Sequence, residues 1–450
     1  MLGVAVISQA VTVWMTWPLW QVRESGMPNL PVFSVPDLDF GILMIASLLM
    51  VVIHPRSGVW IHLAVLFIAT LFDQVRAQPQ ILAGWILILA TITPNGTKLG
   101  RWFLVSLWLW AGLHKLLSPD WHAHESWNLI ERAGLPPENL HLIFVYVVAF
   151  TELILGLTAW FRPRWAIALC PLVHIGIAVF LSPLFCSWNY SVIPWNLATG
   201  LVGGWIMWRS MQEPKSAAWE KTVLAALLVL PWTFYLGVMD HGYSHVLYSG
   251  YLPRGCITRT DGSHFEIVGW DEIAVPFPKE RRLLKAYFVA TANTGQKLHI
   301  HDPRPMLNDQ YFEIKADGLA EISREEFYQA SEQSPAGIGV DSRRSIFRLS
   351  QAGTRLLARE AGGPIYAIEI NPERFKPQLL EYLAGLPNIE QKQLSGTDVQ
   401  DDDLDHIVDL PRLQGIGLSN TKVTGLGLRK LKGNPSIKLI EADHLVQEPE

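Results

Sequence analysis

The chain has 450 residues, half of them apolar and 17% charged, with 19 tryptophans, a formal net charge of −5 and a mean hydropathy of +0.21. That length suffices for two or three domains, and the negative balance gives no basis for nucleic-acid binding. Cys170, Cys186 and Cys256 imply no disulfide framework, since two of them lie in or beside apolar stretches.

Lys, Arg, Asp and Glu are sparse before residue 240 and common after it, so the chain reads as a membrane half followed by a soluble half. Apolar runs at about 3–20, 38–53, 59–72, 80–93, 102–117, 140–160, 165–182, 191–208 and 220–238 predict about nine helices. A crossing takes roughly 20 residues. The runs at 59–72 and 80–93 are the weakest candidates and also read as short helices buried by the others. The first run, GVAVISQAVTVWMTWPLW, has no basic residue before it and no small-residue cleavage site, so it is expected to stay as a helix. With a cytoplasmic N-terminus, Arg56, Lys98, Arg101, Arg162, Arg164, Arg209, Lys215 and Lys221 fall on inside loops. Arg23, Arg76 and Arg132 fall outside with acidic neighbours, as the positive-inside rule requires. Nine crossings then place everything after Asp240 outside the cytoplasm. Trp14, Trp17, Trp20, Trp121, Trp127, Trp188, Tyr190 and Trp195 sit at run ends, where interfacial belts account for most of them.

Beyond the linker DHGYSHVLYSGYLPRG, the segments HFEIVGW, LKAYFVATA and QKLHIHD are rich in β-branched and aromatic residues and predict strands. SREEFYQAS and DSRRSIFRLSQAGTRLLAREAG predict helices. After residue 360 an internal repeat appears. LPNIEQKQLSGTDV from Leu386 and LPRLQGIGLSNTKV from Leu410 align at a constant offset of 24, with a weaker copy around Ile365 and Ile370 and another at Pro435 and Ile437. This period and leucine spacing resemble leucine-rich repeats, one strand and one helix per turn, which implies packing or a small protein-binding face.

Several polar groups are candidates for chemistry. Lys115 ends the apolar stretch AGLHKLLSPDW, where it either snorkels to headgroups or acts as a base in an apolar pocket. Glu152 and His174 lie deep in their runs, as a mutual pair or as part of a functional site. Asp73 and Arg76 in FDQVRAQPQ form either a local ion pair or a substrate contact. Asn189 and Asn196 in CSWNYSVIPWNLA offer amide donors among tryptophans. Lys115, the 73–79 loop and the 186–196 segment fall on one predicted side of the bundle and suggest a single outward-opening cavity. The histidine groups HAHE, DHGYSH and HIHD lack a third ligand at a telling spacing, so no metal is assigned.

The stretches WLWAGLHKLLSPDW and FTELILGLTAWFRPRWAIALCPLVHIGIAVF resemble the membrane domain of vitamin K-dependent γ-carboxylases and their bacterial HTTM relatives, over about residues 70–250. The shorter DoxX and MauE membrane proteins share a weaker version of the pattern. The carboxylase resemblance implies that Lys115 is the base, that a quinone or reduced vitamin K-like molecule is the cofactor, and that the chemistry faces outward. Two departures stand against glutamate carboxylation. DQVRAQP replaces the expected histidine-containing loop, and the C-terminal half differs. The expected fold is a polytopic α-helical membrane bundle (1–239), an extracytoplasmic α+β domain (240–360) and a short leucine-rich-repeat-like solenoid (361–450), in a bacterial inner membrane. Membrane lipid is one expected partner, and a protein bound through the repeats is another. The competing reading is a non-catalytic anchor that displays the repeats.

Overall fold

The computed structural model describes residues 1–23, 26–33, 35–212, 218–260, 264–270, 272–328, 349, 354–358, 365–370, 375–386 and 388–442. They form two compact units. The first comprises 1–255, 267–291 and 300–309, and the second comprises 256–266, 292–299 and 310–450.

In the first unit each predicted apolar run becomes a helix. These are α1 (Leu2–Met15), α2 (Gly41–Ile53), α3 (Pro55–Phe72), α4 (Pro79–Ile92), α5 (Pro94–Leu117), α7 (Pro137–Phe161), α8 (Pro163–Leu181), α9 (Ile193–Ser210) and α10 (Ala218–Val229), with the short α6 (Ser126–Arg132) before α7. Proline opens five of them, at the position where its missing N–H costs nothing. The Thr93 hydroxyl caps α5 by accepting from the Gly96 N–H.

Among the described residues three helices are long and apolar enough to cross a membrane: α3, Asn139–Phe161 of α7, and α8. The run at 59–72, expected to be weak, is thus one of the three, because its helix begins four residues earlier at Pro55. The outward faces of these helices are apolar. Phe67, Leu142, Ile143, Ile154 and Leu172 are all exposed, as lipid contact requires. This half is a membrane-type helical bundle.

Helix α5 packs against α4, α7, α9 and α10. Gly112 permits the approach to α7, since a Cβ there would stand 2.6 Å from the Ala149 carbonyl oxygen and 2.7 Å from Leu153 Cγ. Gly204 does the same between α9 and α8, where a Cβ would lie 2.8 Å from the Ile167 carbonyl oxygen. Fully buried Arg304 anchors the 300–309 segment. Its guanidinium donates to both oxygens of Asp302 at 2.8 and 2.7 Å and to the Phe234 carbonyl at 2.8 Å.

One expected strand is a helix. LKAYFVATA lies in α11 (Arg281–Thr291), which buries Leu283, Leu284 and Phe288. Helical spacing of its apolar residues outweighs the strand preference of its aromatic and β-branched ones. HFEIVGW and QKLHIHD do form strands, β2 (His264–Glu266), β3 (Gly269–Trp270), which pairs with β4 (Val275–Pro276), and β5 (Lys297–His301).

The C-terminal region is built on two five-stranded sheets. One has the order β2, β1 (Arg254–Thr258), β5, β6 (Gln310–Lys315), β7 (Gly318–Glu321). The other runs β12 (Leu439–Glu441), β11 (Gly415–Gly417), β10 (Gln391–Gln393), β9 (Ile365–Glu369), β8 (Arg355–Ala358). The expected helix over 341–362 holds β8 instead, and the rest of it apart from Leu349 and Thr354 lies outside the described residues. SREEFYQAS is helical over Arg324–Tyr328.

Strands β9 to β12 pair in parallel at the 24-residue offset seen in the sequence, Ala367 opposite Gln391, Gln391 opposite Gly415 and Gly415 opposite Leu439. Returning segments at Pro377–Gly385 and Asp401–His406 are 3₁₀ turns, and Gly425–Lys432 is an α-helix. Leu380, Leu383, Ile389, Leu394, Leu404, Leu413 and Leu418 fill the core between them. A constant apolar offset is enough to stack such turns, because each turn buries the face its neighbour exposes.

Candidate functional site

Three polar residues predicted to be functional lie inside the first unit, in two separate arrangements. Lys115, 2% exposed, sits on the last turn of α5. Its ammonium donates to both oxygens of Glu152 on α7, at 3.0 and 2.8 Å, and stands 5.5 Å from the centroid of the Trp121 ring. The lysine therefore turns into the bundle, away from any headgroup position. His174 on α8 does not join them. Its Nε2 accepts from the Trp108 indole N–H at 2.8 Å, and its Nδ1 lies 2.9 Å from Asn196 Oδ1. Tryptophan can only donate, so the proton sits on Nδ1 and the imidazole is neutral. Glu152 and His174, a candidate pair in the sequence, thus have different partners.

Asp73 and Arg76 brace the loop between α3 and α4. Asp73 pairs with Arg23 at 2.7 Å and accepts from the Leu30 and Val75 amides. Arg76 donates to the carbonyls of Leu19, Gln21 and Leu38 and lies over the Phe40 ring. Asn189, in the left-handed region at φ 50°, donates to the Tyr248 hydroxyl at 2.8 Å.

That loop and the 186–196 segment do converge on one cavity of about 230 Å³. Gln74, Gln78, Trp188, Asn189, Trp195 and Tyr248 belong to its lining. Lys115 does not line it. The cavity lining carries charge of both signs, with Glu125, Asp240 and Glu280 beside His241, Arg254 and Lys279. Arg282 bonds both Asp240 and Gln74, and His241 Nδ1 lies 2.6 Å from Glu280 Oε1. Burial and the nearby Glu280 carboxylate push the Asp240 carboxyl up, against the pull of Arg282. Burial pushes the Tyr243 phenol up to about 12, with Asp240 adding to it.

A second cavity, of about 190 Å³, shares Pro79, Trp195, Gly242, Tyr243 and Leu247 with the first. Its other walls are apolar residues of α4, α5 and α10, among them Leu82, Ile86, Phe103 and Leu227. His245 is the one imidazole in its lining.

Residues 88–185 match the family model of the methylamine utilisation protein MauE. No curated protein and no solved structure matches the chain. The MauE-like segment holds α5 to α8, hence the Lys115–Glu152 pair and His174, and supports a membrane protein.

The match corrects the expected kinship. Nothing found supports a carboxylase or HTTM relationship, and nothing supports membership of the leucine-rich-repeat family. The residues that suggested the carboxylases all have structural partners here: Gly112 lets α5 approach α7, Lys115 pairs with Glu152, and His174 is held by Trp108 and Asn196. In the C-terminal unit, the offset of 24 follows from stacking alone and carries no family membership.

Of the four residues singled out for binding, only Asn189 lines a cavity; Asp73, Arg76 and Asn196 line neither, and Gln74, Gln78, Trp195, Tyr243, Tyr248 and His245 were not singled out as cavity residues. DHGYSH did mark the right segment, though as a metal candidate.

Proposed function

We propose that this chain is a multi-pass membrane protein whose helical unit holds a small lipid-soluble molecule in the two adjoining cavities. The observation that carries the reading is their division of labour. The charged residues are confined to the 230 Å³ cavity, and the 190 Å³ cavity beside it is walled by aliphatic and aromatic side chains. Sites for amphipathic small molecules have this build, an apolar body with a few placed polar groups. Lys115 and Glu152 serve this reading as a cross-link that fixes α5, one wall of the apolar cavity, against α7.

Organic extraction of the purified full-length protein tests it. The wild type is expected to release a small apolar molecule in near-stoichiometric amount. Ala83→Phe, which fills the apolar cavity from α4, is expected to lose that molecule while keeping its thermal transition. Equal release from both proteins, or release no greater than from the lipid and detergent blank, would overturn the reading.

The sequence reading of nine crossings in a bacterial inner membrane, with the residues after Asp240 outside the cytoplasm, is part of the proposal. It rests on the apolar helices and on the distribution of Lys and Arg across the loops. Asp402, whose side chain is 92% exposed, provides a reporter position. Asp402→Cys is expected to react with a membrane-impermeant maleimide in intact spheroplasts. Reaction only after lysis would reverse the orientation.

A further inference from the structure

We infer that the 190 Å³ cavity is a binding site for a small uncharged molecule bearing a hydroxyl or carbonyl group, with the His245 imidazole as its hydrogen-bond partner. This inference rests on the chamber reading above and names the chemistry of its occupant.

Four histidines are buried in the first unit: His62, His114, His174 and His245. The first three each have a side-chain partner, although His62 Nε2 is itself buried without one and lines neither cavity. His62 Nδ1 lies 2.7 Å from the Ser47 hydroxyl. His114 lies 2.8 Å from the Tyr235 hydroxyl and 2.9 Å from the Ser244 carbonyl. His174 has Trp108 and Asn196. His245 is 4% exposed and lines the cavity, and its imidazole, unlike its carbonyl, makes no hydrogen bond among the described residues. Its only ring contact there is edge-on to Phe103, with centroids 5.4 Å apart. Its backbone sits at φ 62°, a conformation that a non-glycine residue holds only where the surroundings impose it. A buried polar group without a partner calls for an explanation, and a ligand supplies one.

The lining sets the class of that ligand. No Lys, Arg, Asp or Glu lines this cavity, so a charged molecule would enter without a counter-charge. A neutral imidazole offers one N–H donor and one lone pair, which suits a hydroxyl or a carbonyl. Trp195, which lines both cavities, has an indole N–H without a partner and is a second candidate donor. The volume sets the size. A dry apolar cavity of about 150 Å³ accepts benzene, so 190 Å³ takes one or two fused rings.

The probes are 1-naphthol, naphthalene and 1-naphthoate, measured against the full-length protein in nanodiscs, with empty nanodiscs as the background. 1-Naphthol is expected to bind saturably above that background, about tenfold more tightly than naphthalene, and 1-naphthoate not at all. His245→Phe keeps the ring contact with Phe103 and is expected to bring 1-naphthol down to the naphthalene level. His245→Asn tolerates the positive φ, so it is expected to stay folded and to retain part of the preference for 1-naphthol. Ala83→Phe is expected to remove both neutral probes. Equal binding of 1-naphthol and naphthalene by the wild type, or an unchanged preference in His245→Phe, would overturn the role of His245 while leaving the chamber in place. Binding of neither probe above background would overturn this site. Wild-type release no greater than the blank, or equal release from Ala83→Phe, in the preceding experiment would fail the chamber reading separately.

Discussion

Replacing Lys392 with methionine is expected to stabilise the C-terminal unit by on the order of 2 to 4 kcal/mol at neutral pH. Lys392 lies at the centre of β10, opposite Ile368 of β9 and Ile416 of β11, and Ile416 in turn faces Ile440 of β12. Three turns of the stack thus place isoleucine where this turn places an amine. The side chain is 3% exposed, and its Nζ is buried with no hydrogen-bond partner. Burial alone pushes the amine well below its ordinary 10.5. The folded chain therefore releases a proton that the unfolded chain keeps. In the window between the lowered value and 10.5 the unfolded state binds more protons, so stability rises with pH, by about 1.4 kcal/mol per unit. Below the window both states are protonated and the folded one carries the full cost of a buried charge. Urea midpoints of the full-length protein, read by pulse proteolysis from pH 7 to 9, check both statements. The wild-type midpoint is expected to climb with pH, and the Lys392→Met midpoint to start higher and stay flat. A flat wild-type profile, or a variant no more stable than the wild type at pH 7, would mean that the amine has a partner and remains charged.

Lys392 also marks the limit of what the sequence disclosed. The 24-residue offset was legible in Leu386 and Leu410 because the apolar residues of a stack must repeat at the pitch of the stack. Carried to every position, the same alignment sets Lys392 one period before Ile416, and the exception could have been read there. The nine apolar runs were legible for a similar reason, since lipid-facing and core-facing positions are both apolar and proline marks where most of the helices begin. LKAYFVATA misled because residue preference was weighed above period. The cavity was half legible. Asn189 and the 73–79 loop stood out as polar groups among apolar runs, but His245 lies in a loop, where no periodicity reports burial. Its placement against Phe103 is a product of tertiary packing, and DHGYSH gave only the residue type.

The Lys115–Glu152 pair separates a structural cross-link from a reactive amine. Glu152→Ala is expected to destabilise the protein by about 3–5 kcal/mol, because it leaves an ammonium inside the bundle with no opposite charge. The remaining contacts, the Ala111 carbonyl at 3.5 Å and the Trp121 ring face, are weak compensation. The double variant Lys115→Met/Glu152→Leu removes both charges and keeps most of the volume. It is expected to recover stability to within about 1 kcal/mol of the wild type or to exceed it, as replacement of buried ion pairs by apolar residues often does. Denaturation of the purified protein in one detergent, followed by tryptophan fluorescence, measures the cycle. The coupling between the two positions is then the difference between the double variant and the sum of the singles, including Lys115→Met. A structural pair gives a large coupling and leaves ligand retention in the double variant intact, since neither residue lines the two cavities. If the double variant were as stable as the wild type yet lost the extractable molecule, Lys115 would have a role in binding that its ion pair conceals. If Glu152→Ala alone were harmless, the ammonium would have water or headgroups within reach, and the bundle interior would be wetter than its packing implies.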